Sequence, residues 1–429
     1  MSRVLAWTAT RAIPSIFHPV LSSANLLGNN FPVATARPGS PLVLKCALST
    51  TGGADRMGFR VATYNILCSH LAEPSRFPLC SPKDLDAPTR LERVKHKLDS
   101  EVSQGSVICL QEVSIQWAGD LHVYFLARGY AFVTANYGGF FNNYMGVALA
   151  WPLDKYEAIT VDIARVSDTR KWGREPRQDG DQRQASDAAK DEWLGPLGLL
   201  RKLAGRGTKR PRETNEGAIK SRDMEPEDPW RLGKRRFNQT LFARLRPKDD
   251  PSSSSAPNGG TFCVGTYHMP CLFNVRPVMV MHTSMVIKHL VSLAGSDPLV
   301  FAGDFNFNPD SECYKLATEG DLPSSSPDFP MRPEWEKDWS AITGARLVSA
   351  YKQVNGEEPN FTNHAKVEDY EPFIDTLDYI FHTEGVTATQ VLPLKHRDEV
   401  KGPFPIADEP SDHVVLAAEY EFDATAGDA

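Results

Sequence analysis

Polar residues that could carry out chemistry fall at the ends of apolar, strand-like segments of this sequence. The segment VFAGDFNFNP, residues 300–309, shows the pattern: an apolar run stops at Asp304, and Asn306 follows two positions later. Because alternate residues of a β-strand share a face, we expect Asp304 and Asn306 to point the same way. A carboxylate beside a carboxamide can hold a water molecule and a hard cation together.

The same pattern recurs elsewhere along the chain. Burying one unpaired polar group costs roughly 2–7 kcal/mol, so repeated strand-end polar groups favour one shared pocket over independent accidents. The other members of the set are Asn65, the pair Gln111 and Glu112, His268, Asp378, and the pair Asp412 and His413.

The residue types in this set suit phosphate chemistry assisted by a metal. Magnesium prefers a few carboxylate or carbonyl oxygens and keeps several waters, so Glu112 with Asn65 near it is a suitable ligand set. A histidine paired with an aspartate, such as His413 with Asp378, can be held as an imidazolium against a phosphate. Each residue also has a structural explanation: Asn65 and Asn306 could cap turns, Glu112 could begin a helix, and single histidines are commonly packed or exposed.

Composition and charge are those of an ordinary globular protein. The chain has 429 residues, of which 41% are hydrophobic and 24% charged, and its formal net charge is −7, which excludes a generic polyanion-binding surface over the whole molecule. The cysteines are odd in number, 7, and form no Cys-x-x-Cys pair, which indicates reduced thiols. No apolar run approaches the length of a membrane span, so we expect no membrane partner.

Two stretches differ from the rest of the chain. Residues 1–54 contain arginine and lysine but no acid, so we expect 1–55 to be a mitochondrial targeting segment or a disordered tail outside the fold. Residues 167–236 are rich in charged residues and predict a long insertion, disordered or partly helical. Its basic clusters fit a solvated loop best, with a nuclear-import signal or an RNA-attracting patch as the alternatives. The expected location is therefore mitochondrial, with nucleus or cytoplasm as the alternative.

Strand and helix patterns alternate from Phe59 onwards. Apolar, β-branched segments such as FRVATYNIL, SVICLQEV and PLVFAGDFN predict strands, and the helical spacing of apolar residues predicts a helix over 89–102. Several predicted strands follow one another without a helix between them. This pattern favours an α/β fold with two sheet layers flanked by helices over a single parallel sheet.

The ordered motifs resemble the endonuclease/exonuclease/phosphatase superfamily of magnesium-dependent phosphoesterases. TYNIL, CLQEV, GTYH, AGDFN, LDYIF and SDH occur in the family's order, and the resemblance covers residues 59–422 apart from 167–236. It implies an α/β fold, a four-layer α/β sandwich with two facing mixed β-sheets (DNase I-like). TYNIL, and FTN followed by LDYIF, are similar to the branch of deadenylases, nocturnin, Angel proteins and 2′-phosphodiesterases.

The resemblance implies a role for each residue of the set. Asp304 would orient the attacking water, and His413 would contact the phosphate while Asp378 holds it. One or two magnesium ions, with manganese as an alternative ion, would be bound by Glu112, Asn65 and Asp412. The remaining implied residues are His268 and Asn306 for catalysis, and Asn65 and Phe373 for substrate binding, with Phe373 stacking on a base unless it simply packs in the core.

These residues predict a magnesium-dependent phosphodiesterase that acts on RNA or oligonucleotides, as a 3′-end exoribonuclease. The alternatives are a phosphatase for a small phosphorylated molecule (a dinucleotide 2′-phosphate, a cyclic phosphate or an inositol phosphate) and a non-catalytic RNA-binding module. HMPCLFNV follows the GTY motif where deadenylases have a different stretch, which leaves an adenine preference open. No leucine-rich repeat precedes the domain, so we expect no docking to the large deadenylation complex.

Overall fold

The computed structural model describes residues 58–137, 145–175, 228–248 and 257–423. Within these ranges the chain forms two six-stranded mixed β-sheets with helices on their outer faces. The expected targeting or disordered segment, residues 1–55, lies outside the described residues.

The first sheet presents two parallel strands whose carboxyl ends meet at one edge. Its strands run in the spatial order β15–β16–β1–β2–β4–β3, and β1 lies parallel to β2 with Asn65 opposite Gln111. Their bounds are β1 Gly58–Asn65, β2 Val107–Ser114, β3 Tyr130–Tyr137, β4 Met145–Pro152, β15 Val386–Val391 and β16 Leu416–Phe422.

The second sheet repeats this arrangement. Its strands run in the order β11–β14–β8–β7–β6–β5, with β7 parallel to β8 and β14 antiparallel to β8. In this register Asp304 lies between His268 and Asp378. The bounds are β5 Tyr156–Arg165, β6 Gln239–Pro247, β7 Phe262–His268, β8 Leu299–Asp304, β11 Val348–Ser349 and β14 Asp378–His382. Two short ladders pair β9 (Asp321–Leu322) with β10 (Ala341–Ile342), and β12 (Asn363–Ala365) with β13 (Phe373–Asp375).

Helices cover the outer face of each sheet. Helices α2 (Ala87–Gln104) and α3 (Ile115–Leu126) pack on the first sheet. Helices α4 (Pro229–Arg235), α5 (Arg276–Ala294) and α6 (Glu312–Glu319) pack on the second. The short helices α1 (Pro82–Leu85) and α7 (Ala350–Asn355) lie in connecting segments.

Local sequence explains where α2 begins and ends. The Asp86 side chain accepts a hydrogen bond from the Thr89 amide at 3.0 Å and so caps one of the free N–H groups of the first turn. Gly105 ends the helix with φ of 71°, a conformation that favours glycine. The expected helix over 89–102 is thus confirmed with slightly wider bounds.

Three apolar layers hold the four structural layers together. Residues such as Val61, Val264 and Val300 fill the space between the sheets and have no exposed surface. Leu98 and Ile108 belong to the second apolar layer, which lies between the helices α2 and α3 and the first sheet. Apolar residues of α5 and β8 form the third layer, between the helices and the second sheet. The expected four-layer α/β sandwich with two facing mixed sheets is confirmed.

Helix α5 is long and apolar enough to cross a membrane, and among the described residues it alone has this property. This corrects the expectation that no apolar run approaches such a length. In the fold, however, 67% of the apolar window is buried, and residues such as Val280, Ile287 and Leu290 belong to the core. Burial against the second sheet therefore explains its composition.

Two parts of the fold differ from the sequence expectation. Strand β5 was not predicted; it is the edge strand of the second sheet, and its apolar residues Ile159, Val161 and Ile163 are exposed. The expected insertion, 167–236, is narrower than its composition indicated. Both of its ends belong to the fold, and the core residue Trp230 is 4% exposed. Residues 176–227 lie outside the described residues.

Candidate active site

The two sheets place their polar strand ends in one buried cluster. Asn65 at the end of β1 donates a hydrogen bond through Nδ2 to Asp304 Oδ2 at the end of β8, at 2.9 Å. The same Nδ2 lies 3.3 Å from Glu112 Oε1 and 3.5 Å from His413 Nε2. Asn65 thus contacts Asp304 and His413, which lie 239 and 348 positions away from it in the sequence.

Glu112 reaches this cluster through an irregularity in β2. The β2–β4 register shifts between Leu110 and Val113, and Glu112 between them has φ of 58°, a left-handed conformation that non-glycine residues rarely adopt. Glu112 Oε2 accepts a hydrogen bond from the Cys68 amide at 2.9 Å. The bulge therefore turns a carboxylate towards the cluster at a cost in backbone strain of roughly 1–3 kcal/mol.

Asn65 lies at the expected position, but its amide nitrogen faces the carboxylates. Its Oδ1 accepts a hydrogen bond from the Leu67 amide at 3.0 Å. In this orientation the side chain presents N–H groups to Glu112 and Asp304, and no oxygen to a cation. The structure therefore favours a role for Asn65 in orienting the carboxylates over the expected role as a metal ligand.

Asp304 and Asn306 contact each other, but not as alternate residues of one strand. Strand β8 ends at Asp304, and Asn306 has φ of 50°, so the expectation of a shared strand face is wrong. The Asn306 amide instead donates to Asp304 Oδ1 at 2.9 Å, and its Nδ2 donates to the Met269 carbonyl at 2.8 Å. The turn fixes the Asp304 carboxylate, leaving Oδ2 directed at Asn65 and the histidines.

His413 and Asp378 form the expected pair. Asp378 Oδ2 lies 2.7 Å from His413 Nδ1 and also accepts from the Thr362 hydroxyl at 2.7 Å. Burial lowers the pKa of His413, but the nearby carboxylates of Asp378 and Asp304 outweigh burial and raise that pKa well above its ordinary value. Burial raises the pKa of Asp378 to about 6, although His413 opposes this. The pair can therefore hold an imidazolium whose Nε2 lies 3.7 Å from Asp304 Oδ2.

His268 lies on the other side of the cluster. Its Nε2 is 3.6 Å from Asp304 Oδ2 and 3.9 Å from Glu112 Oε1, and its Nδ1 is 2.7 Å from the Tyr137 hydroxyl. The two histidines therefore flank the same aspartate, each with one ring nitrogen fixed by a neighbour and the other facing the carboxylates.

The carboxylate arrangement fits a divalent cation. Burial raises the pKa of Asp412, and Glu112 adds to this while His413 opposes it. Two carboxylates that repel each other in a partly buried site are what a divalent cation neutralises. A second group with suitable ligand atoms consists of Asp304, Asp378 and His413, whose ligand atoms lie within 4.8 Å of one another. Asp378 Oδ1 is buried and has no hydrogen-bond partner.

Phe373 lies on the β12–β13 ladder, whose strand β12 bridges to His413 through Asn363. Its side chain is 43% exposed, and it pairs with Ala365, two residues after Asn363, which bridges to His413. The alternative that Phe373 packs in the core is therefore not what the structure shows. An exposed aromatic ring on β13, which pairs with the strand that bridges to His413, is suited to stacking on a base.

Sequence reasoning missed the residues that hold this cluster in place. Tyr137 contacts His268, and Thr362 contacts Asp378. Thr362 belongs to the FTN motif, but the motif alone assigns it no role. Arg90 is fully buried and donates to the carbonyls of Ile66, Leu67 and Pro410, the segments after β1 and before His413. An arginine at apolar helical spacing with Val94 and Leu98 is the signal that could have identified it.

Comparison with known proteins now identifies the family. The model of the Endonuclease/Exonuclease/phosphatase family matches residues 62–413. The chain belongs to this family. The family expected from the sequence is confirmed, and with it the enzyme class, hydrolases of phosphoester bonds.

Curated relatives and a solved structure of the Endonuclease/Exonuclease/phosphatase family are similar to the chain. The CCR4-Not complex 3′-5′-exoribonuclease subunit Ccr4 of Aspergillus niger is 23% identical over 436 residues, covering 92% of this chain and 56% of the relative. The 2′,5′-phosphodiesterase 12 of Rattus norvegicus is 27% identical over 177 residues, covering 39% of this chain and 28% of the relative. The chain thus matches about half or less of each relative's length.

The crystal structure of ANGEL2, a 2′,3′-cyclic phosphatase, in complex with adenosine-2′,3′-vanadate matches with a TM-score of 0.58. The match has 19% sequence identity and covers 86% of this chain and 96% of that chain. This similarity supports the fold described above.

Proposed function

We propose that the protein is a divalent-metal-dependent phosphodiesterase that hydrolyses RNA or oligonucleotides by in-line attack of water. One observation carries the proposal. The side-chain amide of Asn65 in the first sheet donates a hydrogen bond to Asp304 in the second sheet, and the side chains around this pair are Glu112, His268 and His413. The names of the relatives, an exoribonuclease and a 2′,5′-phosphodiesterase, support this substrate class.

Asp304 would orient the attacking water. Its Oδ1 is held by the Asn306 amide and its Oδ2 accepts from Asn65, so the carboxylate has one fixed orientation. A carboxylate held in this way can accept a proton or a hydrogen bond from water without first reorganising.

His413 and His268 would bind the phosphate from two sides. Asp378 holds the His413 ring through Nδ1, which leaves Nε2 to donate to a phosphate oxygen. His268 faces the same space with its own Nε2. Two donors aimed at developing negative charge would stabilise the transition state more than the ground state.

Glu112 and Asp412 are the residues that would hold Mg²⁺ or Mn²⁺. Such an ion would polarise a phosphate oxygen and neutralise charge that develops on it. The ligand atoms of Asp304, Asp378 and His413 also lie within 4.8 Å of one another, but an imidazolium has no lone pair for a metal, so the proposed role of His413 leaves Glu112 and Asp412 to hold the ion.

The finer activity that we propose is exonucleolytic cleavage from a 3′ end. The exposed ring of Phe373 favours a substrate with a base over an inositol phosphate. The two relatives differ in the linkage that their names give, so 3′,5′- and 2′,5′-linked substrates must both be assayed.

The test compares the full chain with Asp304→Asn on 5′-labelled oligo(A), mixed-sequence RNA, 2′,5′-linked oligoadenylate and a dinucleotide 2′-phosphate. We expect a ladder of shortened RNA with Mg²⁺, none with EDTA, and a loss of about 100-fold or more in Asp304→Asn. The control Glu157→Gln alters an exposed carboxylate paired with Arg246 and should retain full activity. Free phosphate without shortened RNA would favour the small-molecule phosphatase instead. Binding of RNA without any turnover would indicate the non-catalytic module.

We also propose a mitochondrial location on the composition of residues 1–55. A fluorescent protein fused after residue 55 should colocalise with a mitochondrial marker. Nuclear or cytoplasmic fluorescence would contradict this location.

A further inference from the structure

Tyr137 joins the first sheet to the candidate active site. It is the last residue of β3 and is 7% exposed, and its hydroxyl lies 2.7 Å from His268 Nδ1 at the end of β7 in the second sheet. The backbones on both sides of this contact are held as well. Gln239 Nε2 donates to the Asn136 carbonyl at 2.9 Å, and Asn238 Nδ2 donates to the His268 carbonyl at 2.8 Å.

The surroundings of His268 decide which ring nitrogen carries the hydrogen. Nε2 faces two carboxylate oxygens, Asp304 Oδ2 at 3.6 Å and Glu112 Oε1 at 3.9 Å. A lone pair directed at two carboxylates would be repelled, whereas an N–H would be attracted, so Nε2 carries the hydrogen. In a neutral imidazole the other nitrogen, Nδ1, is then an acceptor.

The Tyr137 hydroxyl is suited to donate to that acceptor. Burial raises the pKa of Tyr137 well above its ordinary value, and the nearby Glu112 and Asp304 carboxylates raise it further. The hydroxyl therefore keeps its proton at neutral pH. A phenolic donor at 2.7 Å from Nδ1 stabilises the same tautomer that the carboxylates favour from the other side.

We infer that Tyr137 is a positioning residue: its hydroxyl holds His268 in the tautomer whose Nε2–H is directed at a phosphate oxygen of the substrate. The identity of that anion rests on the proposed function, but the orientation of the imidazole does not. A ring with the hydrogen on Nδ1 would present a lone pair to the phosphate and repel it.

The first test measures the tautomer in metal-free full-length protein without substrate. Imidazole ¹⁵N NMR is recorded at pH about 8, and His268→Asn identifies the His268 signals by their loss. We expect the wild-type ring to be protonated at Nε2 alone. In Tyr137→Phe we expect the Nδ1 signal to shift towards the protonated form as the preference weakens. Identical His268 signals in both proteins, or a wild-type ring with the hydrogen on Nδ1, would overturn the inference.

The second test separates positioning from structural support. Tyr130→Phe is the matched control: Tyr130 lies in the same strand, is 3% exposed, and donates its hydroxyl to the Val102 carbonyl at 3.1 Å, away from His268. We expect Tyr137→Phe to lower kcat about tenfold, with KM within about twofold and Tm close to that of the control. An equal loss of kcat in both variants would overturn the inference. Inactive wild-type protein would defeat the proposed function alone, because the NMR test needs no turnover.

Discussion

At the scale of single residues, the active-site cluster combines strain with electrostatic repulsion. Glu112 is held with φ of 58° at a bulge. Burial raises the pKa of Asp412, and the Glu112 carboxylate adds to this. Both features cost stability in the protein alone, and strain of this kind is commonly found where a side chain must be aimed at a ligand. A bound divalent cation would offset the repulsion, which makes Glu112 the residue whose charge matters most for metal binding.

Neutralising Glu112 should therefore abolish the response to metal. Glu112→Gln keeps an acceptor for the Cys68 amide but removes the charge, so we expect activity to fall by about 100-fold or more. We also expect the rise in Tm on adding Mg²⁺ or Mn²⁺ to disappear. Thermal shift with and without metal checks the second point independently of turnover. Glu157→Gln is the control, and a normal metal-induced shift in Glu112→Gln would contradict the assignment.

Phe373 should contribute to binding of nucleic acid and not to chemistry. Phe373→Ala removes an exposed ring from the β12–β13 ladder that bridges to His413, so we expect KM for RNA to rise about tenfold with kcat little changed, in line with roughly 1–3 kcal/mol per stacked base. A small phosphodiester without a base should be cleaved at the wild-type rate. Tyr370→Ala, which removes a ring that is 69% exposed in the connection between β12 and β13, is the control. Equal effects of the two substitutions would argue against stacking at Phe373.

At the scale of secondary-structure elements, strand register places the catalytic groups. The pairing of His268 with Asp304 and of Asp304 with Asp378 puts three neighbouring strands at one level. The sequence predicted the ends of β7 and β8 because each apolar run stops at a polar residue, whereas Asp378 begins β14. The sequence could not predict the contact of Tyr137, because His268 is 131 residues away and no local pattern connects the two. Thr362 lies in the FTN motif ahead of LDYIF, but the motif does not indicate its hydrogen bond to Asp378. The expectation that Asn306 shares a strand face with Asp304 was wrong because strand β8 ends at Asp304, where the chain turns.

A buried histidine links three elements behind the second sheet. His282 of α5 has no exposed surface, its Nδ1 lies 2.9 Å from the Tyr267 hydroxyl of β7, and its Nε2 lies 3.0 Å from the Gly233 carbonyl of α4. Burial lowers its pKa to about 4, and Arg236 and Arg165 lower it further while the bond to Gly233 opposes the change. Protonation at this junction would therefore oppose folding.

The pKa of His282 in the folded and unfolded chains decides how the free energy of unfolding changes with pH. The unfolded chain takes up a proton near the ordinary histidine pKa of about 6.5, whereas the folded chain does so only near 4. We expect His282 to make the free energy of unfolding decrease as pH falls between these values, with a slope of up to about 1.4 kcal/mol per pH unit, and to have no effect above them. Urea denaturation at pH about 7.5 and about 5 measures this.

His282→Gln keeps a hydrogen-bond donor and an acceptor at this position. Because glutamine takes up no proton, the variant should lose less stability on acidification than the wild type. His96→Gln, at a histidine whose side chain is 89% exposed, should lose as much as the wild type. A wild-type slope in His282→Gln would show that other groups account for the acid sensitivity.

At the scale of the whole molecule, polar contacts tie the two sheets together at the end that carries the site. Gln111 of the first sheet has no exposed surface and donates to the Thr266 hydroxyl of the second at 3.0 Å, while Thr63 lies beside it. The four layers were predictable from the alternation of strands and helices and from the family motifs. The individual hydrogen bonds that join the sheets were not, because pairs such as Asn65 with Asp304 are separated by 239 residues.

The two ends of the expected insertion contact each other through residues outside 176–227. Arg231 Nε donates to Glu175 Oε2 at 3.0 Å, and the Ser167 hydroxyl donates to the Gly233 carbonyl at 3.0 Å. The ring of Trp172 packs edge-on against Trp230, with centroids 6.4 Å apart. These contacts close the two ends against each other and involve only residues outside 176–227.

Replacing residues 176–227 with a short Gly–Ser linker should therefore leave the fold intact. A linker of about six residues spans roughly 20 Å, enough to join ends that already contact each other. We expect Tm within about 2 °C of the wild type and unchanged cleavage of a small phosphodiester, because no described contact is lost. A matched deletion of 170–235 also removes Trp172 and Trp230 from the core, and it should lower Tm by several times as much. A large fall in Tm for the shorter deletion would mean that residues 176–227 support the fold. Weaker RNA cleavage at unchanged Tm would instead assign the basic clusters of that stretch to substrate binding.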